Sequence, residues 1–276
     1  MDSLNFLYKT RIGRLLLRPL ISKPVSAISG FFLDSRLSKI LIKSFVKKNQ
    51  IRTEDYELEG IQCFNDFFCR KIKPSLRPIS TSQNDFIAPC DGLLTVHKIS
   101  DGMVFHAKQS TFTIEKLLCD EALASEFSNG YCLVFRLCVN HYHRYVYVES
   151  GKKSLNRHIN GFYHTVRPIA LGEFPVFTEN SREYCTIDTE NFGLCVQAEI
   201  GAMLVGRIVN EHIEERDVSR GEEKGHFEYG GSTIIVLVKE NVLTLRDDIV
   251  SSMEKGEEFP IKMGEPVGTK TQMQNA

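Results

Sequence analysis

Six consecutive residues, Thr233, Ile234, Ile235, Val236, Leu237 and Val238, are β-branched or apolar, and no other stretch of this chain restricts its fold so tightly. Such a run predicts a buried strand. Gly230 and Gly231 stand immediately before it, with Ser232 between them and the run. Without Cβ atoms the two glycines open backbone angles closed to other residues, so the chain can turn tightly there. The sequence therefore sets a serine hydroxyl at the mouth of a buried strand, beside a peptide carbonyl that a strained turn could expose.

The 276 residues suffice for one large domain, or one domain with an accessory segment. The formal net charge of −1 argues against a nucleic-acid binder, but the charge is unevenly spread. Residues 1–50 carry ten Lys and Arg against only Asp2 and Asp34, a net of +8, which leaves −9 for the rest. The eight cysteines show neither a CxxC pair nor zinc spacing, so reduced thiols in a cytoplasmic setting and no metal are expected. No signal-peptide pattern opens the chain, and no apolar run reaches the roughly 18 residues of a membrane span.

The first part of the chain reads as helical and basic. Asp34 or Ser35 can cap a helix whose Leu37, Ile40, Leu41 and Phe45 share one face, with Arg36, Lys39, Lys43 and Lys47 on the other. Residues 6–20 mix Leu15, Leu16 and Leu17 with Lys9, Arg11, Arg14 and Arg18. Such helices suit an anionic membrane surface, and equally a cap on the core. From Ile87 onward strands are expected over 131–139, 193–200, 202–209 and 232–239, with short helices over 113–118 and 251–255. Two pentads, Gly221-Glu-Glu-Lys-Gly225 and Gly264-Glu-Pro-Val-Gly268, suggest two similar half-units. The fold class that follows is α+β, mainly β. Amphipathic helices over 1–60 precede a compact antiparallel β barrel-sandwich over 61–276.

Four segments carry groups able to do chemistry. Ala88-Pro89-Cys90-Asp91-Gly92 puts an acid at a turn, and Asn140-His141-Tyr142-His143-Arg144 puts two imidazoles at a strand end. His164 leads Thr165-Val166-Arg167-Pro168, and Ser232 completes the set. An Asp, a His and a Ser are the parts for activating a hydroxyl, the His taking the proton and the Asp fixing its tautomer. Attack of Ser232 Oγ on the Gly231 carbonyl would turn the amide into an ester. β-Elimination and hydrolysis would then leave a pyruvoyl group.

Taken in order, these segments resemble the phosphatidylserine decarboxylase family. Phe67-Phe68-x-Arg70 with Arg77-Pro78 is similar to the family's opening motif, and Ala88 to Gly92 to its Pro-x-Asp-Gly. Tyr142-His143-Arg144 is similar to its Tyr-His-Arg, Gly201 to Ile208 to its Val-Gly segment, and Gly225 to Thr233 to its cleavage segment. The resemblance implies a proenzyme that cleaves itself between Gly231 and Ser232, giving chains 1–231 and 232–276 that stay together. Ser232 becomes the covalent pyruvoyl cofactor, which forms a Schiff base with phosphatidylserine and yields phosphatidylethanolamine. Other serine-headed lipids, amino acids, or a non-catalytic lipid-binding role are the alternatives.

The resemblance also implies a homo-oligomer and a peripheral place on the cytoplasmic face of a membrane. It assigns catalysis to Asp91, His143 and Ser232. One departure stands out: the family's Tyr-His-Arg-x-His has Val146 in its last position here. An aliphatic side chain cannot move a proton, so another imidazole must take that role. His164 is favoured for the sequence that follows it, and His141 is the other choice.

Overall fold

The computed structural model describes residues 3–100, 104–107, 110–202, 207–228 and 232–272, with backbone alone for 104–107 and 110. Gly230, Gly231 and residues 203–206 lie outside them. The expected buried strand is Ser232–Val238, and all seven residues are buried. It runs antiparallel between Gly193–Ile200 and Tyr131–Leu137. These belong to a nine-stranded sheet whose path continues to Arg182–Thr189, Gly151–Lys153 and Arg216–Val218 on one side. On the other it continues to Gly92–Lys98 and Phe259–Ile261, and Arg157–Ile159 pairs off the path.

The alternation of the central strand sorts its side chains into two cores, as a period of two requires. Ile234, Val236 and Val238 point to one cluster with Phe86, Tyr145, Phe227 and Val267. Those partners come from two three-stranded sheets, Ile208–Asn210 with Glu223–Phe227 and Arg144–Val146, and Leu243–Leu245 with Pro266–Lys270 and Asp85–Ile87. Ile235 and Leu237 point the other way, to Tyr8, Leu17, Ile21, Leu117 and Phe177. Among the described residues the outer strands of the large sheet do not pair with each other. The molecule is thus a mainly antiparallel α+β stack, and the expected barrel does not close.

Four helices open the chain: α1 (Ser3–Lys9), α2 (Arg11–Leu20), α3 (Lys23–Leu33) and α4 (Ile40–Asn49). Thr10 caps α2 by accepting from the Gly13 N–H, and a Cβ on Gly13 would lie 2.0 Å from the Phe6 carbonyl oxygen. Tyr8, Leu17 and Ile21 fix α1 and α2 onto the sheet. The expected helix beginning at Asp34 or Ser35 is replaced. Asp34 closes α3, a 3₁₀ turn occupies Arg36–Lys39, and α4 starts only at Ile40. The tighter turn breaks the 3.6-residue period. Phe45 packs edge-on against Phe64, while Leu37 and Ile40 are 77% and 80% exposed. The strand expected at 131–139 shortens to Tyr131–Leu137, and the helix expected at 251–255 lies within Asp247–Lys255. Of the strand expected at 202–209, residues 203–206 lie outside the described residues, and Ile208–Asn210 is a strand.

Candidate active site

Strand register gathers the chemical groups at one end of the large sheet. Leu93, Arg136, Thr233 and Ile200 stand side by side across four strands. The chain just beyond them supplies Asp91 before Gly92, the 138–143 loop after Leu137, Ser232 itself, and Gly201 after Ile200. Asn180 adds the His164 loop: its Nδ2 donates to the carbonyls of His164 and Gly201 at 2.8 and 2.7 Å. Ser232 pairs with Leu137, and the Phe227 N–H donates to the His143 carbonyl at 3.0 Å. The segment between Phe227 and Ser232 is therefore pinned at both ends to the loop that carries His141 and His143.

His143 is fully buried and lies on the Phe68 ring, with centroids 4.1 Å apart. Its Nδ1–H donates to the His141 carbonyl at 2.9 Å, which leaves Nε2 as the bare nitrogen, and Nε2 has no partner among the described residues. Burial drives its pKa down to about 3, and the nearby Arg70 guanidinium pushes the same way. The imidazole is thus neutral at any ordinary pH.

Asp91 does not orient it. The carboxylate takes a two-pronged contact from Arg77, Nε to Oδ1 at 2.6 Å and Nη2 to Oδ2 at 2.5 Å, and Oδ1 also accepts the Met263 N–H at 3.0 Å. The expectation that Asp91 fixes the tautomer of His143 is corrected: a backbone carbonyl does so. The imidazole that feels Asp91 is His141, whose Nδ1 accepts the Cys138 N–H at 3.1 Å. Burial lowers the His141 pKa, and Asp91 opposes that shift.

Among the described residues, Nε2 of His143 and Oγ of Ser232 at this end of the sheet are buried without a hydrogen-bond partner, and so are Oε2 of Glu228, Nδ1 of His226, and Nε and Nη2 of Arg70, three residues that line one cleft. Folded proteins rarely leave such atoms unsatisfied, and a group of them marks a place reserved for chemistry or a ligand. Ser232, 1% exposed at the strand mouth and with no partner for its hydroxyl among the described residues, fits the formation of a covalent carbonyl group at that position. A polar cleft of about 530 Å³ is lined by Arg70, Arg144, Arg207, His226 and Glu228 among others, the last two lying in the Gly225 to Thr233 segment of the sequence.

His164 sits elsewhere on the same end. Its ring stacks on Phe174 at 4.5 Å, its Nδ1 is 3.4 Å from the Tyr8 hydroxyl, and the Glu179 carboxylate is 3.8 Å from Nε2. Burial holds its pKa at about 4. The structure records no contact between it and Asp91, His143 or Ser232. Val146 is buried among Ile72, Ile87, Tyr142 and Met263, and its N–H donates to the Pro89 carbonyl, two residues before Asp91.

Residue spacing alone missed Arg77 as the partner of Asp91, Phe68 as the platform of His143, and Glu228. These lie 14, 75 and, from Arg207, 21 residues from their partners, so no local period could show them. The only signal was that Phe68, Arg70, Arg77 and Glu228 stood in matched motifs.

The family model described as phosphatidylserine decarboxylase matches residues 64–269. A phosphatidylserine decarboxylase proenzyme 2 of Clostridium acetobutylicum is 41% identical over 96% of this chain and 91% of its own length. Phosphatidylserine decarboxylase proenzymes of Clostridium botulinum and Ruminiclostridium cellulolyticum are 41% and 40% identical, over 97% and 96% of this chain and 92% and 90% of their own. With the match covering most of the chain and including the end of the sheet where Asp91, His143 and Ser232 gather, this protein belongs to the phosphatidylserine decarboxylase family.

Proposed function

We propose that the chain is a self-cleaving proenzyme that matures into a carboxy-lyase converting phosphatidylserine to phosphatidylethanolamine, with a pyruvoyl group made from Ser232. The buried Ser232 hydroxyl at the mouth of the central strand, without a hydrogen-bond partner among the described residues, carries this reading. In maturation Oγ attacks the Gly231 carbonyl, and an ester C–O bond replaces the amide C–N bond. Elimination carries that oxygen away as the Gly231 carboxylate, and water then releases the Ser232 nitrogen as ammonia. A pyruvoyl carbonyl supplies the electron sink for the pair left when CO2 departs from an α-amino carboxylate.

The other residues prepare and serve these steps. His143 Nε2, held neutral and bare by the His141 carbonyl and by burial, takes the Oγ proton. Asp91 clamps Arg77 and the Met263 backbone and places its field on His141. His164, anchored through Asn180 beside Gly201, takes the second proton-transfer task, and His141 competes with it for that role. The cleaved chains stay joined, because Ser232–Val238 is the middle of the sheet.

The substrate is a membrane lipid, and the N-terminal helices suit its surface. Ile12, Leu15, Ile28, Phe31, Leu37 and Ile40 are each at least 67% exposed on a segment of net charge +8. Among the described residues no helix is long and apolar enough to cross a bilayer. Release of CO2 from phosphatidylserine in mixed micelles, abolished by prior treatment with a carbonyl reagent, is the expected result. Turnover that survives the reagent contradicts the cofactor, and no turnover by the cleaved protein contradicts the reaction.

A further inference from the structure

The polar cleft beside the cleavage segment contains three arginines among its described lining residues, and they differ in one respect. Arg144 is paired with Glu223 and Arg207 with Glu228. Arg70 has no carboxylate within ion-pair distance among the described residues, although it is only 3% exposed. Helix Phe64–Phe68 ends just before it, and Nη1 caps that turn by donating to the Phe67 carbonyl at 3.0 Å. Its guanidinium lies over the rings of Tyr56 and Phe67, 4.0 and 4.6 Å from their centroids. Nε and Nη2 are buried and make no hydrogen bond of normal geometry among the described residues, and Tyr56 is the polar side chain that acts most strongly on the guanidinium.

A buried charge without a counter-ion is costly, and it is retained where a ligand supplies the missing charge. Two neighbouring N–H groups of a planar guanidinium form the fork that fits two oxygens of a carboxylate or a phosphate. The proposed substrate offers both anions. A cation against the carboxylate would stabilise the charge that decarboxylation removes, favouring the ground state over the transition state. The phosphodiester keeps its charge throughout, so binding it costs the chemical step nothing.

We propose that Arg70 recognises the phosphodiester of the substrate head group, with Nε and Nη2 as its donors and the stacked rings of Tyr56 and Phe67 holding the fork in place. This rests on the reaction proposed above, and it makes Arg70 the residue that distinguishes a phospholipid from free serine. Because phosphate binding is equal in ground and transition states, its loss should appear in KM and not in kcat.

Binding to the full-length protein tests this without relying on turnover. Wild type should bind glycerophosphoethanolamine, which has the phosphodiester and no carboxylate, about tenfold or more tighter than ethanolamine, as a charged hydrogen-bonded pair warrants. Equal binding of the two overturns the proposal whatever any variant does, and so does inorganic phosphate binding as tightly as glycerophosphoethanolamine. Arg70→Met should lose about tenfold or more in glycerophosphoethanolamine affinity, with Arg70→Lys intermediate, while serine affinity stays unchanged. Retained affinity in Arg70→Met, or equal loss for serine, overturns it.

In matured Arg70→Met the KM for phosphatidylserine should rise about tenfold with kcat within about twofold. A wild type that binds glycerophosphoethanolamine as stated but releases no CO2 would sink the proposed reaction and leave this site standing. Normal turnover with an unchanged KM in Arg70→Met would sink only this site.

Discussion

The two Gly-Glu-x-x-Gly pentads build the same structure twice, yet only one of the two leads into the chemistry. Gly221 and Gly264 have φ of +80° and +85°, a region that favours glycine, and a Cβ on either would lie 2.8 Å from the Ile79 side chain. The Gly221 N–H donates to Tyr147 and the Gly264 N–H to Ala88, each at 3.0 Å, and Tyr147 and Ala88 donate back to Glu222 and Glu265. Each pentad enters the middle strand of a three-stranded sheet with a register shift before its last glycine. A Cβ at Gly225 would lie 2.1 Å from the Val209 carbonyl oxygen, and one at Gly268 2.3 Å from that of Thr244.

The side chains do not repeat. In the first unit Lys224 is fully buried against Glu199 at 2.6 Å, Arg144 pairs with Glu223, and the strand ends at Phe227, five residues before Ser232 in the sequence. In the second, Pro266 and Val267 fill the matching places and the strand runs out to Lys270. In this repeat Val146 opposite Glu223 corresponds to Ile87 opposite Pro266. The position where the family carries its second histidine thus holds an aliphatic residue in both units. Glycine geometry is common scaffold; the proposed function rests on polar residues that differ between the copies, with Ser232 following the first unit and Asp91 following the second unit's Ala88.

Ser232→Ala should have the largest effect, removing cleavage and turnover completely while both units stay folded. Normal fragments from this variant would break the assignment of chemistry to the first unit. Asp91→Asn comes next, because Asp91 follows the second unit's Ala88 but serves the site. It leaves Arg77 with an uncompensated, largely buried charge, at a cost of about 3 kcal/mol. Denaturant unfolding and the rate of fragment appearance should both register this, and a variant unchanged in both makes Asp91 an ordinary turn residue.

Gly225→Ala and Gly268→Ala sharpen the comparison directly. Each forces backbone movement and should destabilise by about 1–3 kcal/mol. Only Gly225→Ala should also slow cleavage, since only that strand leads to Ser232. Equal slowing in both would show that processing reports stability alone.

The smallest effect lies outside both units, at His164. Its folded-state pKa of about 4 is below the unfolded 6.5, so the unfolded chain binds its proton first. The neutral imidazole favours the native state fully above pH 6.5, and that advantage falls as pH drops from 6.5 towards 4. His164→Gln should flatten the acid-side loss of melting temperature over that window. If the same variant cleaves and decarboxylates normally, the second proton-transfer task passes to His141.

The sequence showed most clearly what depends on near neighbours. The run from Thr233 to Val238 specified the buried centre of the sheet, and the repeated pentads foreshadowed the two small sheets. The order of the motifs pointed to Asp91, His143 and Ser232, which the register does bring to one end. It did not show who partners whom. Asp91 is held by Arg77 and His143 by its own loop's carbonyl, choices made by tertiary packing that no spacing encodes. The helix expected at Asp34 failed for a related reason: propensity could not tell a 3₁₀ turn packed on Phe64 and Lys39's reach to the Ile61 carbonyl from a continuous helix.

The central claim is that Ser232 becomes the reactive group by cutting the chain in front of it. Intact mass measurement of the purified protein tests this most directly. The account predicts two species, 1–231 and 232–276, the smaller lacking a free amino terminus and lighter than its sequence by the conversion of serine to pyruvoyl. A single chain of 31.4 kDa with Ser232 unaltered, in a preparation that still decarboxylates phosphatidylserine, would contradict it.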